Sequence, residues 1–535
     1  MVFACAAAIS FVVGVSSSAS AADWPQWGGT PSRNMVSVEE RLPSSFEPGK
    51  KRPDGSGIDM STTRNVRWAA RLGTETYSSP VICNNRVLIG TNDNIEDDRV
   101  EPTGGGALLC FDERSGALIW QFLSPRREDV QGRASSDFER MNLGICSTPC
   151  VEGDRVYVVT NRAEVVCLDL DGLADGNDGA ADEAVRSVPS GHAPLALGEH
   201  DADVVWRFDL LGLPSFPHDA ACGSPLIWGD YVYVPTSNGI NGTEGVANAH
   251  EDAAVYPEAP SLIALDKRTG RLAAVDDAKI GRRVFHGQWS SPAAAEVQGE
   301  PLIFFGGGDG FCYAFSAYRP DRNADGLLRT VWKFDCNPHD YRFRDGKPMY
   351  YWLGDKRFNK EMPDDGSFAG PCEIIATPVF ADNRIYVAIG QDPMHGRGRG
   401  ALHCIDASQK GEVTETARRW VYTGLERSLS TVAVDQGLVY CADYPGRLHC
   451  LDAETGRLLW IHDAKAPTWT SPLIADGKVF LGTRKSFWIL KAGPQLEVLS
   501  QINLGSAIRS SPAAAHNTLF VASQRYLWAV EKKDP

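Results

Sequence analysis

Cys110-Phe-Asp112-Glu-Arg-Ser-Gly116-Ala-Leu-Ile-Trp120 recurs in this chain as Cys450-Leu-Asp452-Ala-Glu-Thr-Gly456-Arg-Leu-Leu-Trp460. Between the two, Ala264-Leu-Asp266-Lys-Arg-Thr-Gly270 repeats the pattern without its final Trp. The chemistry of the pattern is that of a short hairpin. Asp caps the turn, Gly supplies the residue with positive φ, and the alternation that follows forms the next strand. Trp206, Trp332 and Trp420 hold the Trp position in repeats with longer turns, where a flat indole can pack between neighbouring units.

Upstream of each such hairpin lies a second recurring feature, a Ser/Thr-Pro step followed by alternating apolar residues and a polar turn. It occurs at Ser79-Pro80, Thr148-Pro149, Ser224-Pro225, Ser291-Pro292, Thr377-Pro378, Ser471-Pro472 and Ser511-Pro512, with Thr431-Val432 in the same place in one repeat. The last two intervals are 40 residues each, the length of one four-stranded blade. Eight starts predict an all-β chain folded as an eight-bladed β-propeller of four-stranded antiparallel blades. The 52 Gly and 32 Pro agree with many short strands and turns. The eighth repeat stops after Tyr526-Leu-Trp-Ala-Val530, one strand short, while Asn65-Val-Arg-Trp68-Ala-Ala-Arg-Leu72 reads as an orphan last strand. The N-terminal strand is therefore expected to complete the last blade, pairing two edges that would otherwise be exposed.

The eleven-residue pattern resembles the repeat of the pyrroloquinoline-quinone (PQQ)-like propellers, and the resemblance runs through nearly all of residues 65–531. It implies one propeller domain over residues 65–535. Residues 22–64 form a leader whose opening, Asp23-Trp-Pro-Gln-Trp27-Gly, resembles that of exported proteins with this repeat. Residues 1–21 read as a signal peptide, with an apolar run from Ala6 to Val15 and an A-x-A-like site at Ala19-Ser20-Ala21. No Lys or Arg precedes Arg33, so the usual basic n-region is missing. The expected location is the periplasm or the extracellular space.

In a four-stranded blade the D–A and B–C loops share one face of the ring. On that face fall the inserts at 91–106, 124–146, 236–260, 335–375 and 391–400; on the other fall 170–203 and 316–329. Long loops on a rigid scaffold carry function, which makes the D–A/B–C rim the expected working surface. Three residues before each Pro position the chain should enter the channel mouth, at Tyr77, Cys146, Cys222, Trp289, Ile375, Leu429, Trp469 and Arg509. Aromatic faces and a guanidinium suit a small planar or polar ligand. His286, Gln288, Glu373, Asp392, His395 and Arg427 are the neighbouring polar candidates. The alternative is a channel simply packed with side chains that bond one another.

Cys110, Cys167, Cys404 and Cys450 fill one strand-C slot and read as core thiols. Cys441 and Cys450 are expected to oppose each other across the Tyr444-Pro-Gly446 turn, and Cys336 and Cys372 bracket the long loop between blades four and five. Asp321, Asn323 and Asp325 match the first half of a calcium loop, although Trp332 stands where its last ligand belongs. A second Gly-rich insert crowds Asp169, Asp171, Asp175, Asn177 and Asp178, and solvated Asx turns are the alternative reading of both loops. Calcium is the one metal these loops suggest.

A net charge of −15 without a basic patch excludes nucleic acid as the expected partner. No nucleophile elbow, phosphate loop or zinc motif is present. The resemblance implies two functional classes. Quinoprotein dehydrogenases bind PQQ with calcium beside a vicinal cysteine pair, whereas BamB-like propellers bind protein partners. This sequence has no two adjacent cysteines, so PQQ is not the expected cofactor. The expected function is an exported module that binds a ligand or protein partner through its decorated face; the alternative is a quinoprotein-like oxidoreductase.

Overall fold

The computed structural model describes residues 22–128, 141–240, 256–349, 351, 367–368, 370–393 and 397–532. Eight antiparallel sheets follow one another around a central channel, each ordered from an inner strand A to an outer strand D. Blade one comprises Val81–Cys83, Arg86–Asn92, Gly106–Asp112 and Leu118–Ser124. The inner strands of blades two to eight are Cys150–Glu152, Leu226–Trp228, Ala293–Val297, Val379–Ala381, Ala433–Asp435, Leu473–Ala475 and Ala513–Ala515. Val66–Arg71 pairs antiparallel with Tyr526–Val530 as the outer strand of blade eight, so the N-terminal strand closes the ring as expected. Two blades exceed the expected four strands. Leu327–Leu328, from the insert of blade four, runs parallel to Leu272–Asp276 in blade three, and Gly411–Glu412 runs parallel to Thr330–Asp335 in blade four.

The recurring Trp and Gly meet across blade boundaries. Trp68, Trp120, Trp206, Trp332, Trp420 and Trp460 each donate Nε1–H to a carbonyl in the C–D connection of the next blade, at 2.7–3.1 Å. For Trp68, Trp206 and Trp420 the indole lies on the turn glycine of that blade. Gly116 illustrates the constraint: its φ is +72° and a Cβ there would sit 2.5 Å from the Trp68 ring. The repeat's Gly is thus fixed by its own backbone and by its neighbour's indole.

Seven of the eight Ser/Thr residues at these steps also have a partner in the next blade. The amide of one donates to the hydroxyl of the next, from Ser79 to Thr148, Ser224 and Ser291, then from Thr377 to Thr431, Ser471, Ser511 and back to Ser79. These seven bonds, at 2.8–3.3 Å, form a hydroxyl ring around the channel that is open between Ser291 and Thr377.

Inside that ring runs the leader. It meets strand A of every blade: Trp24 bridges Ile82 in blade one, Pro25 O accepts from Val151 in blade two, and Arg33 donates to Pro225 O and Pro292 O in blades three and four. Ser32 O accepts from Phe380, Asn34 exchanges two bonds with Val434, Met35 O accepts from Ile474, and Ser37 Oγ donates to Ala514 O. An inner strand otherwise presents unpaired backbone groups to the channel, and the leader supplies partners for them. Arg33 is fully buried with φ 61°. Burial lowers its pKa to about 10, and four oxygens (Gln26 Oε1 and the carbonyls of Trp27, Pro225 and Pro292) accept from its guanidinium.

One expected register is corrected. Cys441 lies opposite His449, and Cys450 opposite Tyr440. The turn closes with Asp443 N to Arg447 O at 2.9 Å and puts Gly446 at φ 98°, an odd-numbered connection. One residue of slip exchanges the faces of the sheet. Cys110, Cys167, Cys404 and Cys450 are buried and free, as core thiols should be. Cys336 and Cys372 are also free; Asn337 between them ties the loop ends, accepting from Cys372 N at 2.6 Å and donating to Cys372 O at 2.8 Å.

Candidate functional site

The leader occupies the end of the channel nearest the A–B turns. At the other end a cavity of about 490 Å³ remains. All eight residues expected at the channel mouth line it: Tyr77, Cys146, Cys222, Trp289, Ile375, Leu429, Trp469 and Arg509. The hydroxyl ring contributes Thr148, Ser224, Ser291, Thr377 and Thr431 below them, and the leader contributes Trp27. Trp27 Nε1 donates to Thr377 Oγ1 at 3.1 Å, which fixes this indole beneath the cavity.

One wall is aromatic and cationic. Arg509, in blade eight, places its guanidinium 4.8 Å from the Tyr77 ring centroid and donates to Glu75 Oε2 at 2.8 Å and to Tyr77 Oη. Burial pushes the Tyr77 phenol well up, so it stays protonated. Trp469 stands edge-on to both Tyr77 and Tyr444, with centroids 5.9 and 5.8 Å away.

The other wall is built by the inserts of blades three to five. The rings of His218 and His286 lie 4.0 Å apart, and Trp289 donates Nε1–H to His218 O at 3.2 Å. His286 also stacks on Tyr351 at 5.6 Å and reaches Asp392 at 3.8 Å. Tyr351 Oη donates to Glu373 Oε1 at 3.0 Å and accepts from Asp392 N at 3.2 Å. Gly287 N adds a bond to Glu373 Oε2 at 3.3 Å, and Arg427 donates to Asp392 O. Glu373 is completely buried. Burial, reinforced by the neighbouring Asp392 charge, raises its carboxyl well above the usual range, while burial lowers Arg427. Glu373, Tyr351 and Asp392 thus form one buried hydrogen-bonded cluster, with the His286 ring packed against it and His218 bonded to Ile240 O at 2.7 Å; the group touches the cavity through Asp392 and Trp289.

Of the polar candidates, His286, Glu373, Asp392 and Arg427 come together here, and Gln288 lies behind them, bonded to Asn238 O at 2.8 Å. His395 lies outside the described residues. Trp27, Tyr351 and His218 were not legible as site residues. Tyr351 and His218 sit in inserts without a repeat position, and Trp27 carried only the leader's resemblance.

The calcium-like loop is on the opposite face. Asn323 accepts from Arg319 N and donates to Leu327 O, Asp325 is bonded to Arg329, and Asp321 lies 3.5 Å from Arg319. In the other acidic insert, carboxylate oxygens of Asp169, Asp171 and Asp175 fall within 4.8 Å of one another. Among the described residues no helix is long and apolar enough to cross a membrane.

These features accord with known proteins at the level of fold. Two solved structures share the architecture: BamB from Moraxella catarrhalis, 14% identical over 88% of this chain and 98% of that one with a TM-score of 0.51, and a europium-containing methanol dehydrogenase, 13% identical over 94% and 89% with a TM-score of 0.53. No curated protein matches the sequence. A family model described as outer membrane protein assembly factor BamB matches residues 104–272 and 414–534, more than half of the chain. The chain therefore belongs to this BamB-like family of PQQ-like repeat propellers.

Proposed function

We propose that the protein is an exported propeller that captures a small, flat, polar ligand in the axial cavity at its D–A/B–C face. The observation that carries this reading is the blind end of the channel. The leader's Trp27 lies beneath a space of about 490 Å³ whose walls differ in character: Trp469, Tyr77 and Arg509 on one side, and Trp289 and Asp392 on the other. A space of that size suits a small molecule. A flat ring would stack on an indole while an acidic substituent meets Arg509 and a donor group meets Asp392. The alternative of a protein partner rests on the decorated rim and on the BamB likeness, which extends to the fold.

A quinoprotein-like oxidoreductase is the second reading, favoured by the buried Glu373–Asp392 network. The donor set argues against calcium-bound PQQ. Calcium takes six to eight oxygens, yet the Glu373 carboxyl group is completely buried with its two oxygens bonded to Tyr351 Oη and Gly287 N, and Glu75 is paired with Arg509. The closely spaced acidic trio among the described residues is Asp169, Asp171 and Asp175, on the opposite face. The residues at the cavity do not fit that group.

The test is native mass spectrometry of protein purified from the exported fraction, with and without added PQQ and calcium. A retained small molecule lost in Trp469→Ala and in Arg509→Ala supports the reading. Stoichiometric PQQ uptake with dye-linked oxidation of an alcohol or sugar overturns it in favour of the enzyme.

A further inference from the structure

Cys146 and Cys222 occupy equivalent positions in blades two and three, and both line the axial cavity. Two residues after each, the inner strands are tied together, Thr148 N donating to Ser224 Oγ at 3.0 Å. That tie fixes the lateral spacing of the two blades at the level of the thiols. Cys146 Sγ donates to Leu143 O at 3.9 Å, and the neighbouring Cys222 thiol together with burial raises its pKa. The two differ in access. Cys146 is 8% exposed, whereas Cys222 is half-buried. At the six equivalent positions stand Tyr77, Trp289, Ile375, Leu429, Trp469 and Arg509, so this is the one junction where the channel wall offers two thiols side by side.

We propose that Cys146 and Cys222 form a thiol–disulfide exchange site that closes into an interblade disulfide on reaction with a small disulfide oxidant. Cys222, the accessible sulfur, attacks the oxidant, breaking its S–S bond and releasing one thiol. Cys146 then displaces the second thiol from the mixed disulfide. One S–S bond is lost and one gained, and the two thiol protons leave on the released thiols, so the exchange balances without a further reductant or oxidant. The adjacent-blade placement suits the short Cα separation a disulfide requires. The remaining ten described cysteines do not compete: all are buried, Cys110, Cys167, Cys312, Cys404 and Cys450 in strand-C positions of five different blades. Closing the bridge removes two thiol donors from the cavity wall and staples blades two and three.

Folded protein is incubated with oxidised glutathione, quenched with an alkylating agent and mapped by peptide mass spectrometry. The expected product is a peptide linking Cys146 to Cys222, formed about tenfold or more faster than any modification of Cys110, Cys312 or Cys450. Reduced glutathione should reverse it. In Cys146→Ser the mixed disulfide should instead accumulate on Cys222. Both cysteines recovered unlinked after prolonged oxidation of the folded wild type overturn the proposal, as does linkage of either to a different cysteine. Neither outcome depends on the cavity having a ligand.

Discussion

Trp27 Nε1 donates to Thr377 Oγ1 at 3.1 Å, joining the leader to the hydroxyl ring at blade five. Among the described residues Thr377 is the ring hydroxyl that receives an indole N–H instead of a neighbouring blade's amide. Trp27→Ala removes the floor of the cavity along with this bond. It should cost about 2 kcal/mol of stability, less than a fully buried Trp because Trp27 is only half-buried. Trp27→Phe should cost less again. Thermal melts of the two variants check the order, and equal melting temperatures for wild type and Trp27→Ala would contradict it.

Ring closure rests on Val66–Arg71 and on Trp68, which is 5% exposed and donates to Glu113 O at 2.8 Å. Trp68→Ala should cost about 3–4 kcal/mol, the range for a buried large aromatic. Deleting residues 65–73 should expose the edge of Tyr526–Val530 and uncover Phe111 and Gly116 of blade one, giving aggregation. Light scattering and a melting curve test both; an unchanged curve for the deletion would remove this strand from blade eight.

Core thiols should react slowly in the folded protein. Burial raises the Cys167 and Cys450 thiols to about 12 and the Cys404 thiol to about 11, and raises Cys110 beyond that range. Thiolate is the reacting species. Alkylation at pH 8 should therefore label these four only on unfolding, and prompt labelling of Cys110 in native protein would place it elsewhere than in the core.

Two buried groups should bend the pH dependence of stability in opposite directions. His403 is completely buried, and burial lowers its pKa from 6.5 to about 3. The unfolded chain takes up that proton first, so this contribution is present above pH 6.5 and is lost as pH falls toward 3. Glu373 is raised above its ordinary 4.5, so its contribution is present below that value and is lost as pH rises through the folded pKa. Melting temperature against pH should flatten on the acid side in His403→Phe and on the alkaline side in Glu373→Gln. Parallel curves for wild type and either variant would contradict the assignment.

Export should leave a mature N-terminus at Ala22. Ala22 N already donates to Glu39 Oε1 at 2.8 Å, and Glu39 is 3% exposed and accepts from Asn517 N at 2.5 Å. Cleavage after Ala21 would turn that amide into an ammonium beside a buried carboxylate. Glu39→Gln should then lower the melting temperature more in protein beginning at Ala22 than in protein extended by one residue. N-terminal mass spectrometry and paired melts decide it.

Most of the ring was legible because a blade writes its own period. Asp112 and Gly116 mark the C–D turn, the Pro steps mark strand A, and counting three residues back from each step places the eight wall residues. Glu373, Asp392, His286 and Arg427 could be named from their nearness to those positions. The channel floor could not. Trp27 and Arg33 lie in a segment without periodicity, and their partners, Thr377, Pro225 and Pro292, are hundreds of residues away. The role of the Ser/Thr hydroxyls was equally hidden, since seven are satisfied from another blade and Thr377 from the leader. Cys441 and Cys450 show the finest limit: a single positive-φ glycine in the turn decides the register.

The leader's circuit also changes what opening the ring would mean. Strand Val66–Arg71 and the circuit from Trp24 to Ser37 belong to one stretch of chain. If blade eight lets go of its outer strand, that strand stays tethered to contacts in seven other blades, from Ile82 to Ile474. Re-pairing is then an intramolecular encounter at high effective concentration rather than a search by a free terminus. A circular fold usually has its weakest point at the seam; here the seam is moored through the centre, and its opening is self-correcting.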